Sequence, residues 1–259
     1  MNTLNKLLAL ATLSLGTGAA SAADLLALGA DGQLFKIDTQ SLKVTASMAA
    51  KAPAALRGFD VRPANGMLYA LAADNQLYTL DLASGAATLA AKLNKNLPGS
   101  GQAVIDFNPV ADKLRMLAAD GTSFRVNVLT GEVVVDGTVA YAADGPYAGK
   151  TAEVRAGAYS NAYAGTKATA LYTLDLATGN LMLQNPPNDG VQQAVGMIAE
   201  GLKMTALDIA SDGKGGNTAY LLTGKTLHSL DLASGKPTPL GDIAGLPDGI
   251  IDIAVLPGM

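Results

Sequence analysis

The chain has 259 residues, 49% of them apolar, 15% charged and 5% aromatic, with neither Cys nor Trp. That composition marks a globular protein and excludes disordered, collagen-like and disulfide-stapled classes; the missing thiols also exclude cysteine nucleophiles, iron–sulfur sites and Cys-containing zinc sites. With 22 acidic and 18 basic side chains the net charge is −4, so sequence-independent binding to nucleic acid is not expected.

The first element is an export signal. Lys6 precedes an apolar run, residues 7–15, and small residues ending in Ala20-Ser21-Ala22 supply an A-x-A cleavage site. The run is about half of the roughly 20 residues a membrane span needs, and no later stretch is long and apolar enough to cross. Cleavage after Ala22 leaves residues 23–259 as one soluble domain, periplasmic or secreted, with 17 basic and 22 acidic side chains. A chain of this size buries roughly 70% of its unfolded surface, so it needs no disulfide in an oxidising compartment.

Next comes one unit in five copies. Leu34-Phe35-Lys36-Ile37-Asp38, Leu77-Tyr78-Thr79-Leu80-Asp81, Ser123-Phe124-Arg125-Val126-Asn127, Leu171-Tyr172-Thr173-Leu174-Asp175 and Leu227-His228-Ser229-Leu230-Asp231 superpose without gaps. Four of them continue into a turn ending at Gly85, Gly131, Gly179 or Gly235, a residue able to take positive φ. Upstream lie apolar runs ended by tight-turn pairs, such as Asp31-Gly32, Asp74-Asn75 and Asp120-Gly121, which read as hairpins. These runs are apolar on both faces, as a strand must be when neighbours cover both sides of its sheet.

A further strand precedes each hairpin from the second copy on: Gly58-Phe59-Asp60-Val61, Val104-Ile105-Asp106-Phe107, Gly157-Ala158-Tyr159-Ser160 and Ala206-Leu207-Asp208-Ile209. Four strands recurring at intervals of 43, 46, 48 and 56 residues predict the blades of a β-propeller. The first hairpin lacks its preceding strand, and an orphan, Ile250-Ile251-Asp252-Ile253-Ala254, follows the fifth copy. The expected fold is therefore all-β: a five-bladed β-propeller closed by pairing the C-terminal strand with the N-terminal blade. The rivals are an open repeat array and a six-bladed ring with a degenerate unit between Asp136 and Arg155.

Several segments resemble an exported bacterial family, the one catalogued as domain of unknown function 4394. They are Leu56-Arg57-Gly58-Phe59-Asp60-Val61-Arg62-Pro63 with Gly66-Met67-Leu68-Tyr69-Ala70-Leu71; Val104-Ile105-Asp106-Phe107-Asn108-Pro109 with Asp112 and Leu114-Arg115; Phe124-Arg125-Val126-Asn127; and Gln184-Asn185-Pro186-Pro187-Asn188. The likeness runs from about residue 24 to 257. It implies no activity, catalytic residue or cofactor. One departure is Lys113, in Asp-Lys-Leu-Arg, where family members tend to show Asp-Arg-Leu-Arg.

Little in the sequence points to catalysis. The only histidine, His228, fills the slot of Phe35, Tyr78, Phe124 and Tyr172 in the other copies, which is a packing position. Ser-His-Asp and Cys-His systems thus lack a base. Asp60, Asp106, Asp208 and Asp252 recur in the strand nearest the channel. Carboxylates gathered around an axis suit calcium or an acid/base pair, whereas a residue repeated in four units of five also suits hydrogen bonding to the adjoining turn.

Asymmetry marks another candidate. One inner strand carries Tyr159 in place of Asp, with Arg155, Asn161 and Tyr163 close by, and all five arginines fall between residues 57 and 155. Arg57, Arg62, Arg155, Tyr159, Asn161 and Tyr163 are therefore candidates for a patch that recognises carboxylate or phosphate; scattered ion pairs are the alternative. The Gly-rich stretch from Ser211 to Asn217 lacks the P-loop order and reads as a hairpin. Together these features predict a monomeric, non-enzymatic binding or scaffold module without a cofactor. Its partner would be an envelope or extracellular protein, a glycan or a small anion. The alternative is a calcium-dependent lactonase-like hydrolase or a glycan-processing enzyme using the channel carboxylates; a purely structural envelope protein is a third reading.

Overall fold

The computed structural model describes residues 23–203 and 205–257, so the expected export signal, residues 1–22, lies outside them. The strands, in chain order, are β1 (Asp24–Gly29), β2 (Gln33–Asp38), β3 (Lys43–Ala49), β4 (Leu56–Val61), β5 (Leu68–Ala72), β6 (Gln76–Leu80), β7 (Ala87–Lys92), β8 (Val104–Asn108), β9 (Lys113–Leu117), β10 (Ser123–Asn127) and β11 (Glu132–Val135). They continue as β12 (Ala140–Tyr141), β13 (Val154–Tyr159), β14 (Leu171–Asp175), β15 (Asn180–Gln184), β16 (Val191–Met197), β17 (Thr205–Ser211), β18 (Asn217–Thr223), β19 (Thr226–Leu230), β20 (Pro237–Asp242) and β21 (Ile250–Leu256). There is no α-helix among the described residues, and no helix long and apolar enough to cross a membrane.

Five sheets form the blades of a β-propeller. From the axis outward they are β21-β1-β2-β3, β4-β5-β6-β7, β8-β9-β10-β11, β13-β14-β15-β16-β12 and β17-β18-β19-β20, numbered here as blades 1 to 5. The orphan C-terminal strand is the inner strand of blade 1: β21 runs antiparallel to β1, with Leu25 opposite Val255, Leu26 opposite Ala254 and Ala27 opposite Ile253. Chain head and tail are thereby hydrogen-bonded in one sheet, and β1 presents no free edge. No sixth blade lies between Asp136 and Arg155. That segment adds only β12, paired in parallel with β16 as an extra outer strand of blade 4.

Blade packing follows the burial pattern. The second strand of each blade is buried on both faces, as in β5, where all five residues are covered, while outer strands such as β3 are mostly exposed. Side chains of successive blades interdigitate: Leu26, Leu28 and Leu34 of blade 1 meet Phe59, Leu68 and Ala70 of blade 2, and Tyr69, Leu71 and Leu77 of blade 2 meet Phe107, Met116 and Phe124 of blade 3. The turn into each outer strand is locally encoded. Asp81 accepts hydrogen bonds from the Ser84 amide (2.7 Å) and hydroxyl (2.6 Å), and Asp38 does the same for Ser41. Gly131 closes the equivalent turn at φ 76°, and a Cβ there would collide with the Lys92 carbonyl of the preceding blade.

The junction of blades 3 and 4 is different. Its apolar cluster is small, Val104, Leu117, Val139 and Val154, and a buried cation makes up for it. Arg115, 0% exposed, donates to Ser123 Oγ (2.8 Å), Asp136 Oδ2 (2.5 Å), Asn188 Oδ1 (2.8 Å) and Tyr159 Oη (3.3 Å). Asp136 also takes a fork from Arg125, at 2.7 and 2.9 Å. This bonded network satisfies a charge that would otherwise be costly to bury.

Candidate functional site: a one-ended axial cup

The inner strands β4, β8, β13, β17 and β21 belong to five separate sheets, so their backbones do not bond one another in ladders. Aspartates do that work. Asp60 Oδ2 accepts from the Phe107 amide (2.7 Å) on β8, and Asp106 Oδ1 from the Tyr159 amide (2.9 Å) on β13. Asp208 Oδ2 accepts from Val255 (2.5 Å) on β21, and Asp252 Oδ2 from Phe59 (2.9 Å) on β4. Asp60, Asp208 and Asp252 each also accept from the next amide in their own strand, at 2.6, 2.6 and 3.0 Å. The repeated carboxylate therefore ties its strand to the neighbouring blade rather than to an adjoining turn.

Four junctions carry this tie. At the fifth, between β13 and β17, Tyr159 stands where Asp would be, and an exposed asparagine pair spans the gap. The Asn161 amide donates to Asn217 Oδ1 (2.7 Å), and Asn217 Nδ2 donates to Asn161 Oδ1 (2.9 Å).

Three of the carboxylates converge. Asp60, Asp106 and Asp208 each offer an oxygen within 4.8 Å of the others. Burial pushes the Asp60 and Asp106 carboxyls well above the usual carboxylate range, and repulsion between the carboxylates adds to it. Asp208 is raised to about 6, again by burial, with its two amide bonds opposing the shift. Asp252 is raised by burial too, but is not part of the trio. Asp106 is 5% exposed, and its second oxygen accepts no hydrogen bond among the described residues.

One end of the axis is closed. Gln102, in the connection from β7 to β8, points its amide at the carbonyls of Ile251 (2.5 Å), Arg155 (3.1 Å) and Thr205 (3.5 Å), all near the starts of inner strands. Arg57 shapes that connection: buried, it donates to the carbonyls of Leu97 (3.0 Å), Pro98 (2.8 Å) and Gly101 (2.8 Å).

The other end is open. Beyond the ends of the inner strands lies a cavity of about 600 Å³ that reaches Asp60, Asp106 and Asp208; Asp24, Asp38 and Tyr163 contribute to its lining, and among the described residues no Lys, Arg or His does. Its walls include Ile209, Ala210, Val255 and Leu256. The axis is thus a cup with an acidic floor and largely apolar walls.

The six residues expected to form an anion patch are dispersed. Arg57 and Arg155 lie toward the closed end, Arg57 engaged as above and Arg155 paired with Glu153 at 2.9 Å. Arg62 forks onto Asp112, with Nε to Oδ1 at 2.8 Å, and this pairing raises Arg62 and lowers Asp112. Tyr159 is buried against Arg115, Asn161 bonds Asn217, and Tyr163 alone of the six lines the open cavity. Of the residues that shape the cup, Gln102 escapes sequence reasoning, because it sits in a connection with no counterpart in the repeat.

Fold and site define a five-bladed β-propeller closed at one end of its axis and open at the other. The chain belongs to the family described as domain of unknown function (DUF4394), which matches residues 47–254. A crystal structure of a protein of unknown function from Bacteroides thetaiotaomicron is similar in fold, with a TM-score of 0.55 and 15% identity over 91% of this chain; the chain spans 65% of that protein. A second, from Bacteroides caccae and also of unknown function, gives a TM-score of 0.44 and 10% identity over 92% of this chain and 100% of the other. No curated protein matches the sequence.

Proposed function

We propose that this propeller is an exported, non-enzymatic binding module and that its open mouth is the binding end. One observation carries the reading: one end of the axis opens into a concave, lined cavity of about 600 Å³, and at the other end Gln102 bridges three inner strands. Among partner protein, glycan and small anion, the lining disfavours the anion, because among the described residues it presents five Asp side chains and no basic one.

Partner candidates, namely purified envelope proteins and glycans, are screened against the mature chain, and any binder is retested on two variants. Ala164→Trp crowds the exposed rim of the mouth, and Ser100→Trp crowds the exposed loop at the closed end. Binding lost in the first and kept in the second supports the reading; the reverse pattern refutes it. The convergence of Asp60, Asp106 and Asp208 favours a second reading, the calcium-dependent lactonase-like or glycan-processing enzyme. Calcium-dependent turnover of lactones or glycans, abolished by Asp106→Asn, would replace the first reading with the second.

A further inference from the structure

Resting on the reading that the mouth is the binding end, we infer that the cup is a receptor for an alkylammonium group, such as a lysine side chain or another primary amine. The floor supplies the acceptors. An ammonium carries three N–H donors, and a nitrogen about 2.8 Å from each of three carboxylate oxygens holds them about 4.6 Å apart at tetrahedral angles. The oxygens of Asp60, Asp106 and Asp208 lie within 4.8 Å of one another, and that span accommodates the group. The unpartnered second oxygen of Asp106, on a side chain 5% exposed and facing the cavity, is the acceptor left open for it.

The walls match the rest of such a ligand. Ala210, Val255 and Leu256, each partly exposed, offer apolar surface to a methylene stem above a charged head, the same division that lysine side chains adopt at wet apolar surfaces. At the rim, Asp24 is paired with Lys36 at 2.8 Å and Asp38 is held by Ser41, so the carboxylates of the floor are the ones left to meet a cation. Repulsion from neighbouring carboxylates adds to the burial that raises Asp60 and Asp106, and a bound ammonium opposes it.

A calcium ion fits this lining less well. It takes about six to eight oxygens, and the converging trio brings together one oxygen from each of three carboxylates, half of that number or fewer.

The test is calorimetric titration of the mature chain at neutral pH with n-butylamine, its uncharged counterpart n-butanol, and calcium chloride. Butylamine is expected to bind saturably and about tenfold or more tighter than butanol. Asp106→Asn retains an oxygen for the Tyr159 amide while removing the charge, and is expected to weaken butylamine about tenfold or more. Ala164→Trp, remote from the floor, is expected to block entry, and melting curves of both variants establish that they are folded. Equal binding of amine and alcohol, indifference to both substitutions, or calcium binding without amine binding each overturns the inference. If a macromolecular partner is still lost in Ala164→Trp while butylamine fails to bind, the ammonium inference falls and the mouth remains the binding end. If Ala164→Trp leaves that partner's binding intact, both fall.

Discussion

Asp208 is a carboxyl whose surroundings pull in two directions. Two backbone amides favour its charge, while burial opposes it and prevails, holding the group at about 6 in the fold against 3.8 ordinarily. The folded state therefore holds the proton more tightly than the unfolded chain does, and the sign follows. Stability is greatest below about pH 4 on account of this group, falls between about pH 4 and 6, and is level above, with a total on the order of 3 kcal/mol. Asp60, Asp106 and Asp252, also raised, extend the decline to higher pH. Asp38, Asp81, Asp112, Asp212 and Asp231 are lowered by their turn or arginine partners and set an opposite, acid limb below about pH 4. Replacing Asp208 by Asn removes the titration but sacrifices one amide bond. Its melting temperature relative to the parent is thus expected to rise as pH goes from 4 to 7, and a difference that stays constant with pH would contradict this origin. The repeat made these carboxylates visible as channel residues. It could not say which amide each accepts, because the stagger between neighbouring blades is a property of the closed ring and not of one strand. Arg57 shows the same limit: a guanidinium suits three converging carbonyls as well as it suits an anion, and only the folded β7–β8 connection distinguishes them.

At the scale of elements, β21 is the decisive strand. Its pairing was legible because two defects in the repeat, a missing inner strand at the head and a spare one at the tail, complement each other. Asp24 and Leu256 face one another at the mouth end of that pair. Directly opposed residues in an antiparallel pair have Cα atoms about 4.5–5.5 Å apart, inside the range a disulfide needs. With no native cysteine to interfere, Asp24→Cys combined with Leu256→Cys is expected to cross-link within one chain on mild oxidation and to raise the melting temperature. The two cysteines remaining free, or linking separate chains, would argue against closure. The segment between Asp136 and Arg155 was harder to read. Its strand β12 has two residues, too short for any period, and what positions it is its parallel pairing with β16 and the bond from the Tyr141 hydroxyl to Asp175, contacts no local pattern records.

Taken whole, the molecule is a ring whose regular parts build the wall and whose exceptions decide access. Carboxylates tie four junctions, an asparagine pair serves the fifth, and one glutamine covers one end of the axis. Five near-equivalent blades would by themselves give a channel with two similar mouths; the connection bearing Gln102, held by Arg57, turns that channel into a vessel. The most direct measurement is amide chemical-shift mapping of residues 23–259 during titration with n-butylamine. The account predicts perturbations at Val61, Asp106, Tyr163, Ile209 and Val255, with the amides of Leu97 and of residues 99–102 unmoved. Shifts concentrated in that loop, or a titration that moves none of the mouth amides, would contradict it.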